Sequence, residues 1–306
     1  MFDRLGERQW PLIGGDWREI ADFAPDLVVA CEPFPRDIRR LVPGAATLYV
    51  QAGSVEETPP GTFAPFADIA AALGPEGRDR FARAGIPDDQ IWAVGPIALD
   101  PLRRGTARRP AFLPEGAKTI LFAPTWRSAL SAAPLLGERV VEALRGERHD
   151  IAVVIKPDPM TTAHQPQWLA WWRRAACEFP NVHLVESPAA DMVPLLAAAD
   201  VLVTDCADAM FQFLVVDRPM VLIDNPARFQ ATSGFDAKAP AWAWRAIGER
   251  LDDPVLLGPA VAAALAGEDL RRELRAQCRQ KLYGDLADGY ALDRLVARIE
   301  SVMDGR

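Results

Sequence analysis

Polar and apolar positions divide this chain into two regions of unequal clarity. From residue 117 on, short apolar runs alternate with longer stretches of helical spacing. The runs are Thr119 to Ala123, Ile151 to Ile155, Val182 to Val185, Asp200 to Thr204 and Pro219 to Ile223. Between them, Leu136 to Leu144, Trp168 to Cys177, Met192 to Ala199 and Ala209 to Val216 read as helices. This alternation predicts a parallel sheet with helices on both faces. The runs lack polar alternation, as strands covered on both sides do. A last helical region extends from Val255 to the end, broken by Gly267, Gly284 and Gly289.

The first region follows a short polar lead and repeats the pattern less clearly. Asp26 to Ala30, Ala46 to Gln51 and Ile91 to Val94 read as strands. Arg36 to Leu41 and Gly77 to Ala84 read as helices, and Phe66 to Leu73 as a strand or a short helix. A Pro-rich loop runs through Thr58-Pro59-Pro60-Gly61. Leu102 to Gly116, rich in Arg, Pro and Gly, reads as a linker. The expected organisation is therefore an N-terminal Rossmann-like lobe over 1–101, a linker over 102–116 and a second lobe over 117–306.

Half the residues are apolar and a quarter charged, so cores can form and disorder is excluded. The net charge of −8, with arginine pairs scattered among acids, argues against a nucleic-acid partner. Cys31, Cys177, Cys206 and Cys278 lie far apart without metal-ligand spacing and read as free thiols of a reducing compartment. The beginning has no basic segment leading into an apolar run, so no secretory signal is read. No apolar stretch reaches the ~18–20 residues of a membrane span. A cytoplasmic location is expected, with peripheral membrane contact left open.

Open parallel sheets bind ligands beyond the carboxyl ends of their strands. The residues there are Thr125 and Arg127, Lys156 and Asp158, Thr204, Asp205 and Asp208, and Asp224. Arg127 offers a planar donor fork suited to phosphate, or a surface ion pair. Lys156 can neutralise a diphosphate or solvate a strand end. The turn after Asp205 opens a helix whose free amides favour an anion, although Asp205 or Asp208 also reads as an N-cap. Trp168, Trp171 and Trp172 form a helical stripe best read as core, and Trp242 and Trp244 as lid or core packing. Of the histidines, His149 reads as surface and His183 as packed within a strand. His164, on the ligand side of the loop after Lys156, is the candidate for function. Walker A, G-x-G-x-x-G, H-E-x-x-H and G-x-S-x-G patterns are all missing. No D-x-D pair signals a metal site.

Four segments carry a resemblance: Ile120 to Arg127 (ILFAPTWR), Val154 to Met160 (VIKPDPM), Val201 to Pro219 (VLVTDCADAMFQFLVVDRP) and Gly284 to Arg294 (GDLADGYALDR). In this order they resemble the C-terminal lobe of CDP-glycerol glycerophosphotransferases, the teichoic-acid polymerase-like enzymes. The resemblance implies a GT-B fold of two Rossmann-like α/β lobes and a cytoplasmic transferase of cell-envelope polymer synthesis. It implies a nucleotide-diphosphate donor as substrate, a polymer or lipid-linked acceptor, and no cofactor or bound metal. It places Thr125, Arg127, Lys156, Thr204, Asp205 and Arg294 around the nucleotide cleft, and returns the last helix to the first lobe.

The chain also departs from the family pattern. Asp158 stands where the family has the histidine of K-P-H-P, and Ala52-Gly53 replaces a first-lobe H-G. Thr204-Asp205-Cys206-Ala207-Asp208 loses both serines of T-D-x-S-S, and Gln212 replaces an aspartate. Asp158, with His164 behind it, is then the acid/base candidate. The alternatives are a GT-B-fold binding or assembly protein that has lost catalysis, and a sugar-nucleotide epimerase or hydrolase.

Overall fold

The structure, a computed structural model, describes residues 11–31, 37–51, 53–54, 66–146, 148 and 150–304. Ala52, His149 and the Pro-rich loop over 58–61 lie outside the described residues, as does the first residue of the helix expected from Arg36. The chain forms two compact units. One takes the residues up to Arg104 together with those from Gln280 on, and the other is Gly105–Arg279.

The first unit holds four parallel strands, β1 Leu27–Ala30, β2 Ala46–Val50, β3 Ile69–Ala72 and β4 Ile91–Ala93, in the order β1-β2-β3-β4. Strand alternation divides its core in two. Tyr49, Ala70 and Ala72 join Phe81 and Ile38 on one face, and Tyr49 meets Phe81 edge-on with centroids 6.0 Å apart. Leu48, Val50 and Ala71 join Leu295, Val296 and Ile299 on the other. The helix Ala291–Asp304 thus covers a face that the chain's first hundred residues leave bare. Asp100 fixes its start, accepting hydrogen bonds from the amides of Ala291 (3.1 Å) and Leu292 (2.9 Å). Gly74 permits a close approach in this unit: a Cβ there would lie 2.3 Å from the carbonyl oxygen of Leu282.

The second unit holds β5 Lys118–Ala123, β6 Ile151–Ile155, β7 Val182–Leu184, β8 Val201–Thr204, β9 Met220–Ile223 and β10 Glu249–Leu251. All pair in parallel in the order β10-β9-β8-β5-β6-β7. Ile120, Phe122, Val153, Ile155, Val201 and Val203 pack on one face with residues of the helices Val140–Arg145, Pro166–Glu178 and Leu257–Leu265. Leu121, Val154, Leu202 and Leu222 alternate with them and are equally buried. Trp168 and Trp172 are core residues, Trp172 edge-on to Phe122 at 6.3 Å, and Trp171 packs beside them half-buried. Both sheets are therefore parallel with helices on both faces, as the alternation predicts. Among the described residues no helix is long and apolar enough to cross a membrane.

Candidate functional site

The strand order of the second sheet reverses between β5 and β8, one chain segment winding outward to β7 and the next to β10. Adjacent loops diverge at such a point and leave a crevice beyond the carboxyl ends. A pocket of about 280 Å³ lies there. Its walls are Ala123 and Pro124 after β5, Lys156 to Pro159 after β6, Pro188, Ala190 and Met192, and Ala207 to Ala209 with Gln212 after β8.

Three expected site residues meet in this pocket: Lys156, Asp158 and Asp208. Lys156 is 6% exposed and donates to the carbonyl of Pro157 at 3.1 Å. Among the described residues it forms no ion pair. Burial lowers its pKa, and the nearby Asp158 charge opposes that shift. Asp158 is half-buried and turns the chain by accepting from the Met160 amide at 2.8 Å. Asp208 accepts from the Gln212 side-chain amide, one helical turn on, at 2.7 Å.

Thr204 and Asp205 are placed differently. The Thr204 hydroxyl donates to the Ala123 carbonyl at 2.6 Å, tying β8 to β5. Asp205 is fully buried and accepts from the amides of Thr125 (2.9 Å), Ala132 (2.8 Å) and Ala207 (3.2 Å). Burial raises its pKa, while the amides of Ala132 and Thr125 and the charge of Arg245 oppose the shift. Its carboxylate holds the loop after β5, and Thr125 contributes its backbone to that grip. In the turn that follows, the amide of Met210 goes to the Ala207 carbonyl, and those of Phe211 and Gln212 go to Asp208.

Arg127 and His164 share a third location. The His164 ring stacks on Trp126 with centroids 4.5 Å apart, and the Arg127 guanidinium lies 5.8 Å from the Trp126 centroid. Neither lines the pocket. Arg294 belongs to the first unit, where it donates to the carbonyls of Val94 and Leu286 (both 2.8 Å) and pairs with Asp288. His183 packs against Phe112 at 4.9 Å.

Arg245 was not among the expected residues, yet it organises the floor of this region. It is 1% exposed, pairs with Asp224 at 2.5 Å, and donates to the carbonyls of Asp205 (2.8 Å) and Ile223 (3.1 Å). Trp242 lies against its guanidinium at 4.7 Å. The signal was a lone arginine in an apolar, tryptophan-rich stretch, where only a buried acid can balance it. Among the described residues no group of three or more His, Cys, Asp or Glu is placed to hold a metal ion.

Solved structures of similar fold include the wall teichoic acid polymerase TagF, at a TM-score of 0.64 and 13% identity over 92% of this chain and 73% of that one. They also include UDP-GlcNAc 2-epimerase from Neisseria meningitidis, at 0.58 and 14% over 93% and 79%. No curated protein sequence matches significantly. The family model for CDP-Glycerol:Poly(glycerophosphate) glycerophosphotransferase matches residues 103–301 of the 306. The chain therefore belongs to this glycerophosphotransferase family.

Proposed function

We propose that this protein is a cytoplasmic transferase of cell-envelope polymer synthesis. It takes a nucleotide-activated donor, CDP-glycerol or a nucleotide sugar, into the pocket beyond β5, β6 and β8. It passes glycerol phosphate or a sugar to a polymer or lipid-linked acceptor, as in teichoic-acid-like polymers, on a GT-B arrangement. The donor is a substrate, and the reading calls for no resident cofactor or metal.

The observation that carries this reading is Lys156, a buried ammonium that donates to a backbone carbonyl with the Asp158 charge nearby, on the wall of a pocket at the sheet's switch point. A charge so placed is costly to bury, and a bound anion lowers that cost. Family membership makes a donor diphosphate the natural anion, and the similar Neisseria epimerase was solved bound to UDP-GlcNAc. With CDP-glycerol, an acceptor hydroxyl oxygen bonds to the phosphorus next to glycerol. The P–O bond to the nucleotide breaks, and the hydroxyl proton passes to the carboxylate of Asp158. Lys156 offsets the charge that develops on the leaving phosphate.

Calorimetric titration with CDP-glycerol and with UDP- and CMP-sugars tests the reading. At least one donor binds, and Lys156→Met weakens it about 10- to 100-fold, the loss of one charge-assisted hydrogen bond in a buried site. No binding by any donor overturns it.

One observation favours a non-catalytic binding protein: among the described residues no histidine lines the pocket. Turnover at background level in both the wild type and Asp158→Ala, with donor binding intact, would establish that alternative. An epimerase or hydrolase would release epimerised sugar or free nucleotide without any acceptor.

A further inference from the structure

Three arginines gather on one carboxylate where β9 ends. Asp224 is buried, and its Oδ1 pairs with Arg245 at 2.5 Å. Its Oδ2 pairs with Arg250 at 2.7 Å and lies 3.8 Å from Nη2 of Arg228. The charge of Asp205 also acts on Arg245. The cations still outnumber the acids, in a chain whose net charge is −8. Arg245 is engaged within the floor of the region. Arg228 and Arg250 each donate only one side-chain hydrogen bond among the described residues. Arg228 Nη1 donates to the Asn225 carbonyl at 2.9 Å, and Arg250 Nη2 donates to Asp224. A guanidinium carries five N–H donors, so most of theirs remain for a bound group. The Arg250 side chain is 56% exposed. The Arg228 guanidinium lies 4.4 Å from the ring centroid of Phe229, which is 70% exposed. Phe229, Phe235 and Trp242 continue as an edge-on series at 5.3 and 5.0 Å.

The group that suits this surface is an anion with apolar carbons beside it. A polyol phosphate chain repeats that pairing. Each phosphodiester presents two oxygens that match a guanidinium fork, and the carbons between phosphates can cover an exposed ring. The poly(glycerophosphate) of the family is such a chain. We propose that Arg228, Phe229 and Arg250 form the acceptor surface and seat a phosphodiester of a polyol phosphate chain. The surface follows β9, the neighbour of β8, whose turn walls the donor pocket. A flat anionic membrane is the poorer fit. It would also meet exposed Asp236, Asp252 and Asp253, against one Lys238, in the loops after β9 and β10. This inference rests on the transferase reading above, which supplies the acceptor, and adds where and by what chemistry it binds.

The test is calorimetry at low ionic strength with three probes: a synthetic poly(glycerol phosphate) oligomer, an uncharged oligoglycerol of equal length, and phosphatidylglycerol vesicles. In the wild type the oligomer binds at least about tenfold more tightly than the oligoglycerol, and added salt weakens it. Phe229→Ala and Arg250→Gln, both at exposed positions, each weaken the oligomer about threefold or more. Affinity for the nucleotide donor stays within about twofold in both, because neither side chain lines the donor pocket. Equal affinity for oligomer and oligoglycerol overturns the inference, as does wild-type affinity in both variants. Vesicle binding that the variants lose, with no oligomer binding, overturns it in favour of a membrane surface. Loss of donor binding alone, with the oligomer behaving as expected, counts against the donor pocket and leaves this surface standing. Should either variant fail to fold by its thermal melt, the other decides.

Discussion

Replacing Asp205 by alanine separates structure from chemistry at this site. The carboxylate is fully buried and accepts from three amides, of which Thr125 and Ala132 follow β5 in the same loop. Alanine leaves those amides without an acceptor, and each buried orphan costs about 1–3 kcal/mol. Part of this is offset because the carboxylate itself is costly to bury, which is why burial raises its pKa. The net loss is about 3–4 kcal/mol. In a unit of this size each kcal/mol moves the midpoint by about 2–4 °C, so the melt should fall by roughly 6–16 °C. Differential scanning calorimetry measures that fall, and amide exchange at Thr125 and Ala132 should accelerate with it. Asp205→Asn, which keeps one acceptor oxygen, should lie between. A midpoint within about 2 °C of wild type would refute the account of Asp205 as the clamp of the loop after β5.

Four further outcomes follow from the same geometry. Burial lowers the pKa of Lys156, and a bound anion raises it again. Donor binding at alkaline pH should then take up protons and weaken as pH rises, seen as calorimetric heats that vary with buffer; buffer-independent heats would count against it. Arg245→Met leaves Asp224 and the carbonyls of Asp205 and Ile223 short of a buried partner, a loss of about 3–5 kcal/mol in chemical denaturation. Asp288, beside Arg294, titrates at about 2. Its folded pKa lies below the unfolded value, so its contribution is complete above about pH 4 and vanishes as pH falls through about 2; NMR titration of Arg294→Gln should return it toward normal. Gly74→Ala drives a methyl onto the Leu282 carbonyl and should destabilise the first unit by at least about 1–3 kcal/mol in thermal melts.

Much of the second sheet was legible because strands buried on both faces leave continuous apolar runs, and β5, β6, β8 and β9 all lie within a residue of the expected places. β10 escaped notice, since Glu249 and Arg250 make it look like a loop and only its pairing with β9 identifies it. β3 stayed ambiguous because three successive alanines favour helix, and pairing on both sides overrides that preference. The helix Trp17–Phe23 lay in what reads as a polar lead, although Asp16 and Glu19 form a capping box that marks its start. At the site, sequence order shows which residues stand at strand ends but not how they are oriented. Lys156, Asp158 and Asp208 share the pocket, whereas Asp205 turns inward because unsatisfied amides there need an acceptor more than a ligand does. Arg127 and His164 instead line up along Trp126, a stacking that charge and spacing alone do not reveal.

The first unit is assembled from both extremes of the chain, whereas Gly105–Arg279 is a single uninterrupted stretch. During synthesis, β1 to β4 leave the ribosome early with Leu48, Val50 and Ala71 lacking the helix that shields them. The middle of the polypeptide can finish folding while the beginning waits. The sheet made first becomes complete last, and a nascent chain stalled before residue 291 would expose that apolar face to chaperones or to aggregation.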